Sequence, residues 1–347
     1  MDLAFVPAVA ALALQLEPSP APFSQPGAPI RARTASACEL VMMDATGREL
    51  GRAAAPAGDV DLAALLPELR SVPRAVRIQA LVGGIPTDAP LVAVPLDGRP
   101  TIRTMQDLRP DGTTRFTRVI GWGDALLEPA NAAHAEAARG WPKADPTPRS
   151  GFRVERDVDV VFETGSGRIR FAMRPDAAPN TVRNFTELAA RGFYDGTVVH
   201  RVVPKGRGGR PFVIQGGDPT GTGDGGPGYD IPLEPSSLPH DFGVLSMARN
   251  DWPDSAGSQW FVALTREETA RLDGQYCAFA EAVEGAEAIL SIESGEIADP
   301  ATGRPVRPVT VSRAFTVPAR PWVPGSGRPE RRVERPAAAA RGDGGAR

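Results

Sequence analysis

The stretch that decides the fold of this chain is residues 200–218, which read HRVVPKGRGGRPFVIQGGD. Two further segments complete it, LSMA at 245–248 and GSQWF at 257–261. Outside a basic insert at 205–211, these segments contain one arginine, two glutamines, several apolar and aromatic residues and many glycines. They contain no evident pairing of a nucleophile with a base and no metal-ligand cluster. Such a set can hold an apolar group and donate hydrogen bonds to a peptide, which indicates proline recognition rather than peptide cleavage.

The composition is that of an ordinary globular protein. Hydrophobic residues make up 41% and charged residues 23% of the 347 residues, and the net charge is −3. This balance gives no reason to expect nucleic acid as a partner. The two cysteines, Cys38 and Cys277, fall in different predicted domains, so we expect neither a disulfide nor a metal site. No apolar run reaches 18 residues, so no transmembrane segment is expected either.

The two ends of the chain are predicted to lie outside the folded domains. Residues 1–34 read as a leader or possible signal segment followed by a Pro-rich linker. The apolar run at 3–16 resembles a signal-peptide core, but no Lys or Arg precedes it. The sequence therefore leaves open whether the protein is exported, for example to the periplasm, or stays in the cytoplasm. Residues 318–347 are rich in Arg, Pro and Ala and are predicted to form a disordered tail.

Between these ends the patterns predict two mainly β domains. Alternating apolar runs predict a small β-rich domain of unknown role at 35–125, followed by a helix and linker at 126–151. In the second domain, 152–317, a hairpin is predicted at 157–173 and a helix at 179–189. Many short strands with two helices favour a closed antiparallel barrel whose ends are covered by the helices.

The second domain resembles a cyclophilin-type peptidyl-prolyl cis-trans isomerase. Besides the segments quoted above, FYDGT at 193–197 and LDG at 272–274 match the family in the same order, and the resemblance extends over about 155–317. It implies a closed eight-stranded antiparallel barrel capped by two helices. It also implies that no cofactor or metal is required and that proline-containing polypeptides are the substrates during protein folding. We expect the protein to be a monomer.

The resemblance also assigns roles to individual residues. Arg201, Gln215 and Phe212 match the catalytic positions. The matching substrate-binding positions are Val213, Ala248, Arg249, Gln259, Phe261, Leu272 and Tyr276. For Arg201 the physical chemistry agrees, because conjugation of the amide sets a rotation barrier of about 18–20 kcal/mol. The prolyl nitrogen becomes a better acceptor only as conjugation breaks, so a charged donor placed there binds the transition state preferentially.

Several positions depart from the family pattern. Val213 stands where methionine is commonest, and Tyr276 stands where histidine is frequent, although its hydroxyl can still meet a carbonyl. Arg271 occupies the position at which tryptophan favours cyclosporin binding, so we expect weak sensitivity to that drug. The insert at 205–211 replaces a shorter connection. The sequence leaves open whether it adds positive charge at the pocket rim or is a longer surface loop.

Two other functions compete with catalysis. The domain can be a non-catalytic module that binds proline peptides for assembly, although such a binder has less need of Arg201. Alternatively, the N-terminal β domain is the functional part and the isomerase its helper. A Gly-x-Gly-x-x-Gly pattern at 221–226 is not interpreted as a dinucleotide site, because Pro227 and a turn-like segment follow it instead of a helix.

Overall fold

In a computed structural model, residues 14–108 and 112–336 are described, and they form two compact units. The first unit comprises the described residues up to Pro95 together with Gly151–Asp157 and Arg320–Pro329. The second comprises Leu96–Ser150, Val158–Ala319 and the described residues from Glu330. The leader up to residue 13 and the end of the predicted tail, from 337, lie outside the described residues.

The described residues contain 23 strands and five α-helices. In chain order the strands are β1 (Leu16–Pro18), β2 (Phe23–Ser24), β3 (Arg31–Thr34), β4 (Cys38–Met43), β5 (Glu49–Ala55), β6 (Gly58–Asp61), β7 (Val76–Val82), β8 (Ile85–Pro86), β9 (Leu91–Asp97), β10 (Ile102–Leu108), β11 (Arg115–Trp122), β12 (Ala125–Leu126), β13 (Arg149–Arg156), β14 (Val158–Thr164), β15 (Gly167–Met173), β16 (Arg201–Val203), β17 (Val213–Gly216), β18 (Val244–Met247), β19 (Trp260–Ala263), β20 (Ala278–Glu284), β21 (Ile297–Asp299), β22 (Arg304–Pro305) and β23 (Val311–Pro318). The helices are α1 (Leu62–Leu65), α2 (Ala132–Ala138), α3 (Pro179–Ala190), α4 (Arg266–Thr269) and α5 (Ala286–Glu293), with 3-10 helices at Pro67–Ser71 and Ala270–Leu272. None of the helices described is long and apolar enough to cross a membrane.

The first unit is built on a seven-stranded sheet in the order β2-β13-β9-β7-β4-β5, with β8 paired to β7. A three-stranded sheet, β1-β3-β6, accompanies it. Parts of the predicted Pro-rich linker therefore form β1 and β2. Both are edge strands of their sheets, where proline is tolerated because one side of the strand needs no ladder hydrogen bonds.

These units differ from the predicted domain boundaries. Residues 96–150, which contain β10–β12 and α2, belong to the second unit and not to an N-terminal domain or a linker. Residues 320–329, which we predicted to be disordered, belong to the first unit, where Trp322 is 4% exposed and its backbone N–H donates to Gln79. A composition rich in Arg and Pro did not reveal this single aromatic anchor.

The second unit contains an antiparallel eight-stranded sheet in the order β16-β17-β19-β18-β20-β15-β14-β23. The sheet is curled but open, so the prediction of a closed barrel is wrong. In the described structure, the segments next to the two edge strands meet at an isolated bridge between Val198 and Thr310. The edge strand β16 is three residues long, and the chain beside it makes this bridge instead of a continuous ladder.

Two helices pack on the core of this sheet, as predicted. From α3, Val182, Phe185 and Leu188 are buried at helical spacing, and the Phe185 ring centroid lies 5.0 Å from that of Tyr194. From α5, Ile289 and Ile292 are buried in the same core. The predicted hairpin is also present, because β14 and β15 pair from Thr164 and Gly167 outward. The unit is therefore mainly β with the expected pair of covering helices.

Candidate active site

Three of the predicted residues lie in one row across neighbouring strands, next to the buried Ser246. Arg201 of β16 pairs with Gln215 of β17, Gln215 pairs with Phe261 of β19, and Phe261 pairs with Ser246 of β18. Directly paired residues share a face of the sheet. The opposite face carries a second row, formed by Val202, Ile214, Val262 and Leu245, whose members are at most 1% exposed in the core. One face of these strands therefore builds the core and the other builds the site.

A chain of hydrogen bonds fixes the polar residues of this row. Arg201 Nη1 donates to Gln215 Oε1 at 3.0 Å, and Gln215 Nε2 donates to Gln259 Oε1 at 3.0 Å. Gln259 Nε2 then donates to the carbonyl oxygens of Gly223 and Gly225 at 2.8 and 2.9 Å. Because a guanidinium has donors and no acceptor, it sets the orientation of both amides in turn. Arg201 is thereby held in one position by a chain that ends on backbone.

The guanidinium of Arg201 lies in a half-buried position. Burial lowers its pKa from the usual range, and the neighbouring Tyr276 opposes that shift. An arginine nonetheless keeps its proton at any working pH. Its aliphatic stem packs beside Gly303, where an added Cβ would lie 3.2 Å from Arg201 Cγ and 2.6 Å from the Val202 carbonyl oxygen. The site thus presents a permanent charge with a fixed direction.

An apolar cluster lies next to this charge. Its buried members are Val213, Phe261 and Leu272, and its partly buried neighbours are Val203, Phe212, Ala248 and Tyr276. The Phe261 and Tyr276 rings meet edge to face with centroids 5.7 Å apart. All the apolar residues predicted to hold a proline ring are therefore brought together, and Tyr276 packs against them.

The residues predicted to line the groove next to the proline site do not all point into the same cavity. The Ala248 backbone N–H donates to the Gln259 carbonyl at 2.9 Å, and both residues line a cavity of about 560 Å³ together with Gln215. Arg249 also touches this cavity, but its Nε donates to the Gln275 carbonyl at 3.1 Å and its guanidinium covers the Tyr276 ring at 4.7 Å. Its side chain is therefore directed along the rim.

A chain of three polar residues, of which His240 and Ser246 are buried and Asp273 is partly exposed, supports Phe261, and no sequence pattern predicted it. The His240 ring stacks on Phe261 with centroids 5.7 Å apart. His240 Nδ1 lies 2.9 Å from Asp273 Oδ1, and its Nε2 lies 2.9 Å from Ser246 Oγ. Arg266 Nη2 also contacts Asp273 at 2.6 Å. Asp273 belongs to a recognised motif, but no local signal connects it with a histidine 33 residues away.

This Ser-His-Asp arrangement does not form a nucleophilic site. Ser246 is 0% exposed and His240 is 1% exposed, so no substrate reaches the hydroxyl. Burial lowers the pKa of His240, although the bond to Asp273 acts in the opposite direction. Burial alone would raise the pKa of Asp273, but hydrogen bonds from His240 and Arg266 hold it well below its usual range. The arrangement is therefore a structural support for the aromatic wall.

The glycine-rich loop after β17 is organised by Asp218. Its carboxylate accepts from the backbone N–H groups of Thr220 and Gly223 at 2.7 and 2.6 Å. Burial opposes ionisation, but these bonds lower the pKa of Asp218 to about 2. The segment after the loop is not helical, which agrees with our rejection of a dinucleotide site. Across the described residues, no group of three or more His, Cys, Asp or Glu is arranged to hold a metal.

The insert at 205–211 packs against the buried side chain of Glu268. An added Cβ at Gly206 or Gly208 would lie 2.5 or 2.6 Å from the Glu268 carboxylate, so a side chain at either position would displace that carboxylate. The Arg210 backbone N–H donates to Glu268 at 3.3 Å, and its guanidinium pairs with Glu267. The insert is thus an anchored loop, and Arg207 is exposed at its tip.

Sequence comparisons with known proteins identify one family. The family model described as cyclophilin type peptidyl-prolyl cis-trans isomerase/CLD matches residues 159–316. Peptidyl-prolyl cis-trans isomerase B of Bacillus subtilis is 42% identical over 139 residues, which cover 40% of this chain and 90% of that protein. A peptidyl-prolyl cis-trans isomerase of Synechococcus elongatus is 41% identical over 141 residues, which cover 40% and 91%. A solved cyclophilin-type isomerase of Cryptosporidium parvum, determined with the dipeptide Ala-Pro, is 29% identical with a TM-score of 0.42, covering 46% of this chain and 99% of that one.

Proposed function

Because this chain belongs to the cyclophilin-type peptidyl-prolyl cis-trans isomerase family, we propose that its second unit catalyses rotation about X-Pro peptide bonds of polypeptides. The observation that best supports this proposal is the position of Arg201. Its guanidinium is fixed by Gln215 and lies beside the apolar cluster that contains Val213, Phe261 and Leu272. A proline ring seated in that cluster would bring its own nitrogen towards a charged donor.

In the proposed mechanism the enzyme acts on the twisted amide. Planar X-Pro amides delocalise the nitrogen lone pair, whereas the twisted amide returns that pair to the nitrogen. Arg201 donates a hydrogen bond to the prolyl nitrogen at that stage and so stabilises the transition state more than the ground state. The reaction breaks no covalent bond. It therefore requires neither a nucleophile nor a cofactor.

The apolar residues hold the substrate while the bond rotates. Phe212, Val213, Phe261 and Leu272 surround the proline ring. The backbone near Ala248 and the side chain of Gln259 bind the peptide that precedes or follows it, and Tyr276 offers its hydroxyl to a carbonyl. We propose Gln215 as a residue that both orients Arg201 and meets a substrate carbonyl. In this way the protein assists the folding of proline-containing chains.

Exchange NMR on a short X-Pro peptide tests the proposal. The wild type should accelerate cis-trans exchange, and Arg201→Ala should lose most of the acceleration while remaining folded. Arg183→Ala is a matched control, because this arginine lies on the surface of α3 in an ion pair with Glu187 at 2.8 Å. If the wild type binds the peptide without changing its exchange rate, the domain is a non-catalytic proline-binding module instead.

A further inference from the structure

A second cleft lies beside the proposed proline site and uses residues that the family match does not include. One wall is formed by Phe116 and Arg118 of β11, which precede the matched region. The opposite wall contains Leu272 and Tyr276, which also belong to the apolar cluster of the site. The cleft has a volume of about 200 Å³. This is roughly the liquid volume of seven water molecules, which suits one side chain rather than a length of peptide.

The wall contributed by β11 is firmly attached within the second unit. The Gln275 side chain accepts from the Val119 backbone N–H at 3.0 Å and donates to the Val119 carbonyl at 2.6 Å. Val119 itself is 0% exposed and lies in the core of the unit. Leu127, directly after β12, packs over Gly274, where an added Cβ would lie 2.8 Å from it. The cleft is therefore a built feature of the fold.

The lining of the cleft is strongly basic. It contains Arg118, Arg207, Arg249 and Arg271 and a single carboxylate, that of Asp251. Arg118 is paired with Asp107 at 2.7 Å. For Arg207 and Arg271, no carboxylate of the described residues lies within salt-bridge distance. Burial and then the nearby charge of Arg207 lower the pKa of Arg271, although Tyr276 and Glu268 act in the opposite direction.

Two of these arginines lie over aromatic rings, but two donors of Arg249 are already used by the carbonyl oxygens of Gln275 and Asn250, so within the described residues Arg271 is the one with free donors. The Arg271 guanidinium lies 4.4 Å from the Phe212 ring centroid, and that of Arg249 lies 4.7 Å from the Tyr276 ring centroid. Stacking on an aromatic face leaves the N–H groups at the edge of the guanidinium free to form two parallel bonds to a carboxylate. The anchored insert places Arg207 at the same cleft.

We propose that this cleft is a specificity subsite that binds an acidic side chain of the substrate close to the isomerised proline. The inference rests on the proposed function, since it takes a bound proline peptide as its starting point. Arg271 and Arg207 supply the attraction, and Arg118 and Arg249 complete the basic surface. Substrates with Glu or Asp beside the proline are therefore preferred over neutral ones.

The test uses pairs of peptides that differ in a single Glu or Gln. The Glu or Gln is placed in turn at each of about three positions on either side of the proline. An extended chain advances about 3.3 Å per residue, so these positions cover the substrate residues that can reach the neighbouring cleft. Exchange NMR at low salt gives kcat/KM for each peptide. At one position we expect kcat/KM to be roughly three- to tenfold higher for the Glu peptide than for the Gln peptide. This is the size of effect expected for a partly desolvated pair between a carboxylate and a guanidinium with two parallel hydrogen bonds. In about 1 M salt, where the screening length is about 3 Å, the preference should shrink.

Variants assign that preference to the cleft. The Glu/Gln ratio should fall to near one in Arg207→Gln/Arg271→Gln, and Arg207→Glu alone should lower it as well. Arg210→Gln is the matched control, because this arginine belongs to the same insert but pairs with Glu267, and it should leave the ratio unchanged. The proposal is overturned if no position gives a preference or if the double variant retains it. If neither peptide is isomerised, the proposed function is wrong. The ratio of the Kd values of the Glu and Gln peptides then tests independently whether the cleft binds an acidic side chain.

Discussion

Replacing Gln215 with leucine should reduce turnover through its effect on Arg201. The Leu side chain is similar in size but offers no acceptor, so the 3.0 Å bond from Arg201 Nη1 is lost. A hydrogen bond to a charged group contributes about 1.5–3 kcal/mol. If that energy serves to position the guanidinium in the transition state, kcat/KM should fall roughly 10- to 150-fold. The peptide Kd should change much less, because the apolar cluster that holds the proline ring is intact.

A double-mutant cycle separates positioning from direct substrate binding. Exchange NMR is recorded for the wild type, Gln215→Leu, Arg201→Ala and the double variant. If Gln215 acts mainly through Arg201, its replacement in the Arg201→Ala background should change kcat/KM by no more than about twofold, a strong departure from additivity. Effects that multiply, within about 0.5 kcal/mol, would refute this reasoning and show that Gln215 acts mainly through its contact with the substrate carbonyl and not through Arg201. Thermal unfolding of each variant verifies that all four proteins are folded.

Three further predictions concern stability and the pocket. Burial lowers the pKa values of His200 and His240, so below about pH 6.5 the unfolded chain binds more protons than the folded protein does. The Tm should therefore fall as the pH is lowered from about 6.5 to 5. A Tm that stays constant over this range in calorimetry contradicts this assignment. Phe261→Leu removes the stacking on His240, so the peptide KM should rise roughly three- to tenfold with a smaller change in kcat. An unchanged KM would mean that the proline ring of the substrate does not bind against Phe261. Gly285→Ala should lower the free energy of unfolding by about 1–3 kcal/mol in urea titrations, because φ is +97° and a Cβ would lie 2.4 Å from the Arg168 carbonyl oxygen; an unchanged midpoint excludes this strain.

The sequence predicted what depends on short stretches of chain. The prediction of the cyclophilin family is confirmed, and so are the hairpin at 157–173 and the helix that begins at Pro179. Each of these is set by neighbouring residues, namely a two-residue turn or an apolar stripe at helical spacing. The closed barrel was wrong because closure depends on whether the chain beside β16 forms a ladder with its distant neighbour, and no local pattern specifies that.

The domain division shows the same limit at a larger scale. The first unit takes residues from three separate parts of the chain, and its sheet includes β13 from residues that were predicted to end a linker and begin the second domain. The strands β10–β12 alternate like the strands before them, so their pattern gave no reason to assign them to a different unit. One contact that attaches β11 to the second unit joins Gln275 and Val119, which are 156 residues apart in the sequence.

The candidate site was more accessible to prediction because the core determines its geometry. Val202 and Ile214 alternate with Arg201 and Gln215, so the register that buries the first pair also places the second pair side by side. A slip of one residue would expose Ile214 and bury Gln215, since successive side chains point to opposite faces. Full burial of each aliphatic side chain contributes about 1.5–3 kcal/mol, and the amide would lose its hydrogen bonds as well. The burial that stabilises the sheet therefore also enforces the alignment of Arg201 with its acceptor, which explains how motifs of a few residues can specify a site assembled from three strands.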